Sequence, residues 1–408
     1  MLKICVPLAL LAVASLAWPV DQSVRAFDTY RLPNQTVPTH YDLYLDTNLH
    51  LADLDYSGNV KIRIQVLEST SQIVLHSKRS EIVRLELRNS NQLAISLKSF
   101  EMDADKDFLI VNTKETLPAG STYVLDIDFT NSLDRTDAAG FYRSSYVNAE
   151  GVTKFLGVTQ FESTDARSAF PCFDEPGIKT TYSVQIACGL DYNARSNAPA
   201  LGIQLFTSRQ EAHYVPNDST NANLPVGVPG FRLHQRTASR VPASSDCRLD
   251  VCSTNCQPSA DVLRRRFGTI PAGAGIYFDQ RCHGKNWGLV TYRESTILLD
   301  PESQGESQQL QVVGIVGHEY THQFFGNLLA PQWWSYLWLN EGFARLYQYY
   351  VSEFSHPELK MRDRFASVRE SALNLDASAT VRPMTYYVET PGEISRLFDN
   401  IAYANNPA

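Results

Sequence analysis

The sequence predicts an α+β fold, with an N-terminal antiparallel β domain over residues 27–204 and a mainly helical domain over residues 286–408. In the first part, apolar and polar residues alternate in short runs such as Val60, Ile62 and Ile64. Alternation with a period of two places one face of each strand against a core. In the second part the apolar residues recur with a helical period instead.

The N-terminus has the features of a secretory signal peptide over residues 1–17. Lys3 precedes an apolar run from Ile4 to Ala14, and small residues follow near Ala17. The run is too short to cross a bilayer, which disfavours the alternative of a retained membrane anchor. We therefore expect a protein that is extracellular or at the cell surface, with Asn34 as a glycosylation acceptor.

Composition narrows the range of partners. The chain of 408 residues has a net charge of −8 and no basic cluster. Nucleic-acid binding relies on concentrated positive charge, so we expect no nucleic-acid partner. The length is sufficient for two domains.

A candidate metal motif, HEYTH, occupies residues 318–322. On a helix, His318 and His322 lie on one face one turn apart, so both imidazoles can bind one metal ion. Glu341 opens a second amphipathic stretch and would add a carboxylate from a neighbouring helix. Two neutral histidines and one carboxylate form a zinc set that leaves a fourth position for water. The sequence therefore predicts one Zn²⁺ ion on these three side chains.

The residue between the two histidines predicts the chemistry. Glu319 is placed to take a proton from a water molecule that attacks a carbonyl group, which indicates a metal-dependent hydrolase. The alternative is an accidental match. With nine His and 44 acidic residues in the chain, composition alone makes such a match roughly a one per cent event.

A loop in the β domain contains a second candidate site. Gln160 and Glu162 alternate, so we expect both side chains on the same face of a strand. The turn-forming and acidic stretch 170–176 follows them. On the residues alone, both are interpreted as surface residues.

Together these motifs resemble the aminopeptidase N family of zinc metallopeptidases, which are gluzincins with a thermolysin-like catalytic domain. The resemblance covers most of residues 28–204 and 286–403. The matching stretches are Tyr30–Pro33, Gln160–Pro176, Asn286–Glu294, His318–Asn327, Trp338–Ala344 and Phe398–Tyr403.

The resemblance implies a zinc-dependent aminopeptidase that removes N-terminal residues from peptides. It implies that Gln160 and Glu162 hold the free α-amine of the peptide substrate, because a carboxylate pairs well with an ammonium group. It also implies that Tyr403 donates a hydrogen bond to the oxyanion that forms beside the zinc. The implied fold is the β domain followed by a partial, mainly helical, thermolysin-like catalytic domain.

One stretch departs from the family. The family has Gly-Ala-Met-Glu-Asn before Trp-Gly-Leu, and its Glu is a second anchor for the amine, whereas Lys285 occupies that place here. At about 4 Å and an effective dielectric constant of about 20, the repulsion is on the order of 4 kcal/mol. Codons for residues 281–284, displaced by one base, permit Gly-Ala-Met followed by Glu or Asp, and the same displacement permits family-like sequence over 214–233. We interpret residues 205–285 as translated out of frame, with a divergent loop as the alternative.

The end of the chain leads to a further expectation. The family continues well beyond the position of Tyr403, so we expect a truncated copy, with any membrane attachment in a C-terminal part beyond residue 408. One alternative function is a catalytically dead surface binding protein that retains the zinc fold. Another is an endopeptidase freed from the requirement for a free amine.

Overall fold

The structure, a computed structural model, describes the following residues: 29–148, 150–197, 200–206, 209–214, 231–235, 275–279, 284–287, 289–297 and 305–404. The predicted signal peptide lies outside them, as does most of the segment 205–285. The α+β prediction is confirmed, because β-sheet occupies most of the N-terminal half and helices predominate after residue 305.

The β-strands of the described residues are numbered in chain order. They are β1 (Thr36–Thr47), β2 (Asp55–Val66), β3 (Thr70–His76), β4 (Glu81–Asn89), β5 (Ala94–Ile95), β6 (Leu97–Asp103), β7 (Phe108–Leu117), β8 (Thr122–Ser132), β9 (Gly140–Val147), β10 (Thr153–Gln160), β11 (Thr181–Gly189), β12 (Tyr192–Ser196), β13 (Ala200–Leu205), β14 (Arg209–Tyr214), β15 (Phe231–Gln235), β16 (Gly275–Asp279), β17 (Gly284–Asn286) and β18 (Leu289–Arg293).

The largest sheet has eight strands in the order β13-β14-β11-β1-β2-β8-β4-β5. Strand β2 follows the predicted alternation, with Val60, Ile62 and Ile64 fully buried. Neighbouring strands in this sheet run antiparallel except β1 and β11, which run parallel with Leu43 opposite Val184. The expectation of a wholly antiparallel domain is therefore wrong at this pair. One edge of β1 is already paired with β2, and β11 returns to its other edge after a long excursion that permits a parallel crossover.

Three smaller sheets complete the β-structure of the described residues, in the orders β12-β15-β10-β9, β16-β18-β17 and β3-β7-β6. Strands β14, β15 and β16 belong to the segment interpreted as out of frame, and β14 pairs with β11 in the large sheet. The out-of-frame interpretation stays a prediction.

The helices follow the sheets. They are α1 (Glu294–Ile297), α2 (Glu306–His322), α3 (Trp338–Ser355), α4 (Met361–Asp376), α5 (Pro391–Ser395) and α6 (Asn400–Ala404). Short 3-10 turns lie at Leu49–Leu51, Ala166–Ser168, Trp334–Tyr336 and Pro357–Leu359. Val312 and Val316 of α2 pack with Val290 and Tyr292 of β18 in a small apolar cluster. The apolar run before the histidines thus anchors the helix that carries them.

The β domain and the helical part meet at the loop between β10 and β11. Lys179 donates hydrogen bonds to the carbonyl oxygens of Asn327 and Leu328, at 2.5 and 2.6 Å. Burial lowers the pKa of this lysine to about 8. The guanidinium carbon of Arg31 lies 3.8 Å from the centre of the Trp333 ring. The Lys179 contacts hold the loop after β10 against the turn that follows α2, and so bring the two candidate sites together. Arg31 adds a further contact, because its Nε also donates to Oε2 of Glu175 in the same loop at 3.1 Å.

Candidate metal centre and active site

Helices α2 and α3 pack closely because two glycines of α2 face α3. A Cβ atom on Gly314 would lie 2.7 Å from Nε2 of Gln348, and one on Gly317 would lie 2.7 Å from Oγ of Ser352. Real Cβ atoms do not approach so closely, so glycine sets the short distance between the two helices. Because of this approach, Glu341 of α3 reaches the two histidines of α2.

The three predicted metal ligands come together in the structure. Nε2 of His318 lies 3.0 Å from Nε2 of His322. Oε2 of Glu341 lies 3.3 Å from Nε2 of His318 and 3.2 Å from Nε2 of His322. The Glu341 side chain is 2% exposed and the His322 side chain 1% exposed. Among the described residues, these three form the group of His, Cys and acidic side chains that could hold a metal ion.

The triangle of donor atoms fits a zinc ion. In a tetrahedral site with bonds of about 2.0–2.1 Å, neighbouring donor atoms are about 3.3 Å apart. The three distances found here, 3.0, 3.2 and 3.3 Å, lie close to that value. Two nitrogen donors and one carboxylate oxygen also match the donor types that zinc prefers.

The ring of His322 is oriented by the turn after α2. Its Nδ1 atom lies 2.8 Å from the carbonyl oxygen of Phe325. A carbonyl oxygen only accepts, so Nδ1 carries the proton and Nε2 presents its lone pair to the ligand triangle. Gly326 continues the turn with φ of +129°, and a Cβ there would lie 3.3 Å from Nδ1 of His322. This glycine was not predicted from the sequence, although glycine just beyond a helix end is a known signal for such a turn.

Glu319 occupies the position between the ligands that the sequence predicted. The residue is 6% exposed, and it lines the cavity that also contains the ligand triangle. Being next to His318 in a helix, it points about 100° away from that ligand around the helix axis. Its carboxylate is therefore beside the metal position without belonging to the donor triangle.

Tyr403 reaches the same site from α6. Its ring stacks on the ring of His318, with centroids 5.9 Å apart and planes 21° apart. Oδ1 of Asp399 accepts hydrogen bonds from the backbone N–H groups of Ile401 and Ala402, which caps this short helix. The guanidinium group of Arg382 donates two hydrogen bonds to the same carboxylate, at 2.7 and 3.0 Å. This cap and ion pair fix the helix that presents Tyr403.

The structure corrects the local placement of Glu162. Strand β10 ends at Gln160, and Glu162 lies in the following turn, so the two side chains do not share a strand face. The chain turns directly after Phe161, whose carbonyl oxygen accepts a hydrogen bond from the backbone N–H of Asp165 at 2.9 Å. Nε2 of Gln160 nevertheless donates to the carbonyl oxygen of Glu162 at 3.4 Å, and both residues line the cavity.

One cavity of about 830 Å³ unites the predicted residues. It lies between the loop after β10, helices α2, α3 and α4, and the segment that leads to α6. The predicted site residues that line it are Gln160, Glu162, His318, Glu319, His322, Glu341 and Tyr403. Asp165 and Arg345 also line it, and neither was predicted from the sequence.

Asp165 places a titratable carboxyl group on the wall of this cavity. Burial, and then the negative charge of Asp174, raise the pKa of Asp165 to about 6. Asp174 itself is held by the buried Arg167, whose Nε donates to Oδ2 of Asp174 at 2.9 Å. The positive charge of Arg167 is thus directed at Asp174, and it only partly offsets the cost of burying Asp165.

Within the described part of the chain, no helix combines the length and the apolar character that a membrane span requires.

Comparisons with known proteins agree with this geometry. The family model "Peptidase M1 N-terminal domain" matches residues 37–214, and "Peptidase family M1 domain" matches residues 282–406. Endoplasmic reticulum aminopeptidase 1 of Mus musculus is 32% identical over 424 residues, which cover 97% of this chain and 45% of the relative. Aminopeptidase N of Bos taurus is 31% identical over 426 residues, which cover 95% of this chain and 43% of the relative.

The chain thus spans less than half the length of these two relatives. The two matched ranges include the whole ligand triangle and the loop after β10. Both come from one family, in which peptide hydrolysis depends on zinc. The chain therefore belongs to peptidase family M1.

Proposed function

We propose that this protein is a zinc-dependent aminopeptidase that removes residues from the free N-terminus of peptides. The observation that carries the proposal is the single cavity in which a zinc-like donor triangle, a buried glutamate and the loop after β10 lie together. The relatives are named as aminopeptidases, which supports the same reaction. The comparisons give no support to a catalytically dead binding protein.

One Zn²⁺ ion on His318, His322 and Glu341 is the proposed cofactor. When bound, zinc supplies positive charge that polarises a carbonyl group and makes a water molecule more acidic. The three side chains fit this ion by donor type and by the spacing of their donor atoms. With neutral histidines, the single negative charge of Glu341 would neutralise half of the charge of the Zn²⁺ ion, so the site would keep a net charge of about +1.

Glu319 is the proposed general base and acid. It takes a proton from the attacking water as the new carbon–oxygen bond forms. It then gives this proton to the amide nitrogen of the second residue as the first peptide bond breaks, so that the shortened peptide departs with a new N-terminal amine. A group that exchanges protons in this way needs shelter from bulk water, and Glu319 is 6% exposed.

Tyr403 is the proposed donor to the oxygen that becomes negative in the transition state. Its ring is held against His318, on the rim of the donor triangle. A preorganised hydroxyl of this kind stabilises the transition state more than the bound substrate.

Glu162 and Gln160 are the proposed site for the substrate's amine. The Glu162 carboxylate pairs with the ammonium group, and the side-chain oxygen of Gln160 accepts a further N–H hydrogen bond. Their place on the wall of the same cavity supports removal of the first residue over internal cleavage. It therefore disfavours the endopeptidase alternative.

We also propose that the protein enters the secretory pathway, and that the peptides it acts on are met there or outside the cell. The name of the Mus musculus relative refers to the endoplasmic reticulum, which supports this location. The exposed turn residue Asn34 is the proposed glycosylation acceptor. Membrane attachment, and the out-of-frame origin of residues 205–285, stay predictions.

The proposed function is tested with two leucine amides that differ only at the amine. The zinc-loaded protein is expected to release a chromophore from the leucine amide with a free amine. It is expected to release it at least about a hundredfold more slowly when the amine is acetylated, because the charge pair with Glu162 is lost. The Glu162→Gln variant should reduce that ratio. Equal rates on both substrates would contradict an aminopeptidase.

A further inference from the structure

Arg345 places an unneutralised positive charge on the wall of the catalytic cavity. Its Nη1 donates to Oε1 of Gln348 at 3.2 Å, and its guanidinium carbon lies 5.5 Å from the centre of the Tyr349 ring. Both partners are uncharged. Within the described part of the chain, no carboxylate forms an ion pair with Arg345, although ion pairs join most of the other arginines there.

A second arginine that lines the cavity, Arg364 of α4, provides a contrast. Nη2 of Arg364 lies 2.6 Å from Oε1 of Glu306, so this charge is already paired. The acids Glu162 and Asp165 come from the loop after β10, on the β-domain side of the cavity. The cavity is therefore acidic where the β domain forms its wall, and it carries one unpaired cation on the wall that α3 forms.

The position of Arg345 along α3 relates it to the metal centre. Arg345 follows Glu341 by one helical turn on the same face, which is about 6 Å along the axis. Consecutive Cα atoms of a peptide are about 3.8 Å apart. A peptide with its first carbonyl at the donor triangle and its amine at Glu162 extends its second residue by about one Cα–Cα distance, which is comparable with the separation of Arg345 from Glu341 along α3.

There is also space for the substrate beyond this point. Arg345 lines a second cavity of about 780 Å³, and it shares that position with Phe398 and Tyr403. These three residues line both cavities, so the two adjoin. A peptide that passes Arg345 has a continuous path away from the metal centre.

We propose that Arg345 selects substrates that present a carboxylate just after the scissile bond. The carboxylate comes either from an acidic side chain at the second residue or from the free C-terminus of a dipeptide. Guanidinium binds either group through the same paired hydrogen bonds. This inference rests on the proposed function for the direction of the peptide, and it adds the substrate class.

The test measures equilibrium binding to the zinc-loaded Glu319→Gln variant, in which turnover is stopped. One pair of probes is Leu-Glu-Ala-Ala-amide and Leu-Gln-Ala-Ala-amide, and the other is Leu-Ala as free acid and as amide. We expect the acidic member of at least one pair to bind about tenfold more tightly, as one charge-assisted pair in a partly exposed site provides. The pair that shows the preference identifies the source of the carboxylate.

Three further variants on this background isolate the role of Arg345. Arg345→Gln should reduce the preference to about one, and Arg345→Lys should retain part of it, because the charge is kept but the paired hydrogen bonds are lost. Arg364→Gln removes the arginine that is already paired, so it should retain the full preference. Zinc content, measured for each variant, shows that the site is still assembled.

The outcomes are distinct. Equal affinities within both pairs, a preference that survives Arg345→Gln, or no peptide binding at all would overturn the inference. Hydrolysis by the unsubstituted protein is measured in parallel on the same peptides. Binding preference without hydrolysis would contradict the proposed aminopeptidase and leave Arg345 as a carboxylate-selecting residue. Hydrolysis without a binding preference would support the proposed aminopeptidase and overturn the role of Arg345.

Discussion

The Nδ1–H group of His322 donates a hydrogen bond to the carbonyl oxygen of Phe325, 2.8 Å away. This contact means that a ring of the candidate metal centre on α2 is oriented by the turn beyond the helix, not by the helix alone. Lys179 of the β domain stabilises this turn by donating hydrogen bonds to the carbonyl oxygens of Asn327 and Leu328. The geometry of the metal centre thus depends on the contact between the two parts of the chain.

Gly326→Ala should weaken zinc binding about tenfold, the size of effect seen when the partner of a metal ligand is disturbed. The new Cβ would lie 3.3 Å from Nδ1 of His322, and φ of +129° strains any residue with a side chain. The measurement is competition for zinc against a chromophoric chelator. Gly151→Ala is the matched control, because Gly151 has φ of +76° and nothing within 4 Å of a new Cβ. Equal losses of zinc affinity in both variants would refute the role of the turn.

Glu341→Gln should lower zinc affinity by at least about a hundredfold. The glutamine amide has nearly the same size as the carboxylate, but it lacks the negative charge. In the unsubstituted protein that charge lies beside the Nε2 atoms of both histidines. Zinc content after dialysis against a weak chelator gives the readout. A variant that keeps one zinc ion per chain would show that the carboxylate is not a ligand.

Glu319→Gln should separate catalysis from metal binding. The side chain lines the cavity but lies outside the donor triangle, so zinc content is expected to stay at one ion per chain. Loss of a general base typically costs about 10²–10⁴-fold in rate. The measurement is kcat on an amino-acid amide together with zinc content. Loss of zinc in this variant would contradict the separate role of Glu319.

Asp165→Asn should stabilise the protein at neutral pH. Burial and Asp174 raise the pKa of Asp165 from 3.8 to about 6, so between these values the folded state binds more protons than the unfolded state. The free energy of unfolding therefore falls as pH rises through this window, and the cost persists above about pH 6. The shift corresponds to at most about 3 kcal/mol, and partial exposure reduces the expected gain of the variant to about 1–2 kcal/mol.

The readout for Asp165→Asn is the free energy of unfolding in urea at about pH 7.5 and about pH 4. The gain should be present at the higher pH and shrink at the lower one, where the carboxyl group is increasingly protonated in both states. A gain of equal size at both values would point to a cause other than titration of Asp165.

The metal centre was the most predictable part of the protein from sequence. Two histidines four residues apart are on one face of any α-helix, so His318 and His322 meet whatever the tertiary structure. Glu341 required a second assumption, the packing of α3 on α2, and the glycines that allow this packing carry no direct signal of it. Gly314 and Gly317 are understood only when Gln348 and Ser352 are seen opposite them.

Features that depend on distant contacts could not be predicted. The strand that carries Gln160 was expected to continue through Glu162, but a backbone hydrogen bond from Asp165 to the carbonyl oxygen of Phe161 turns the chain there. The parallel pairing of β1 and β11 joins residues about 140 positions apart, and no local pattern encodes it. Tyr403 was assigned through the family resemblance, and its position rests on the Arg382–Asp399 pair.

The most direct test of the account is the release of a chromophore from leucine amide, measured alongside the zinc content of the same sample. We predict one zinc ion per chain, loss of both metal and activity on chelation, and return of both on adding one equivalent of zinc. Activity that persists after the metal has been removed would contradict it, and so would a chain that binds no zinc while His318, His322 and Glu341 are intact.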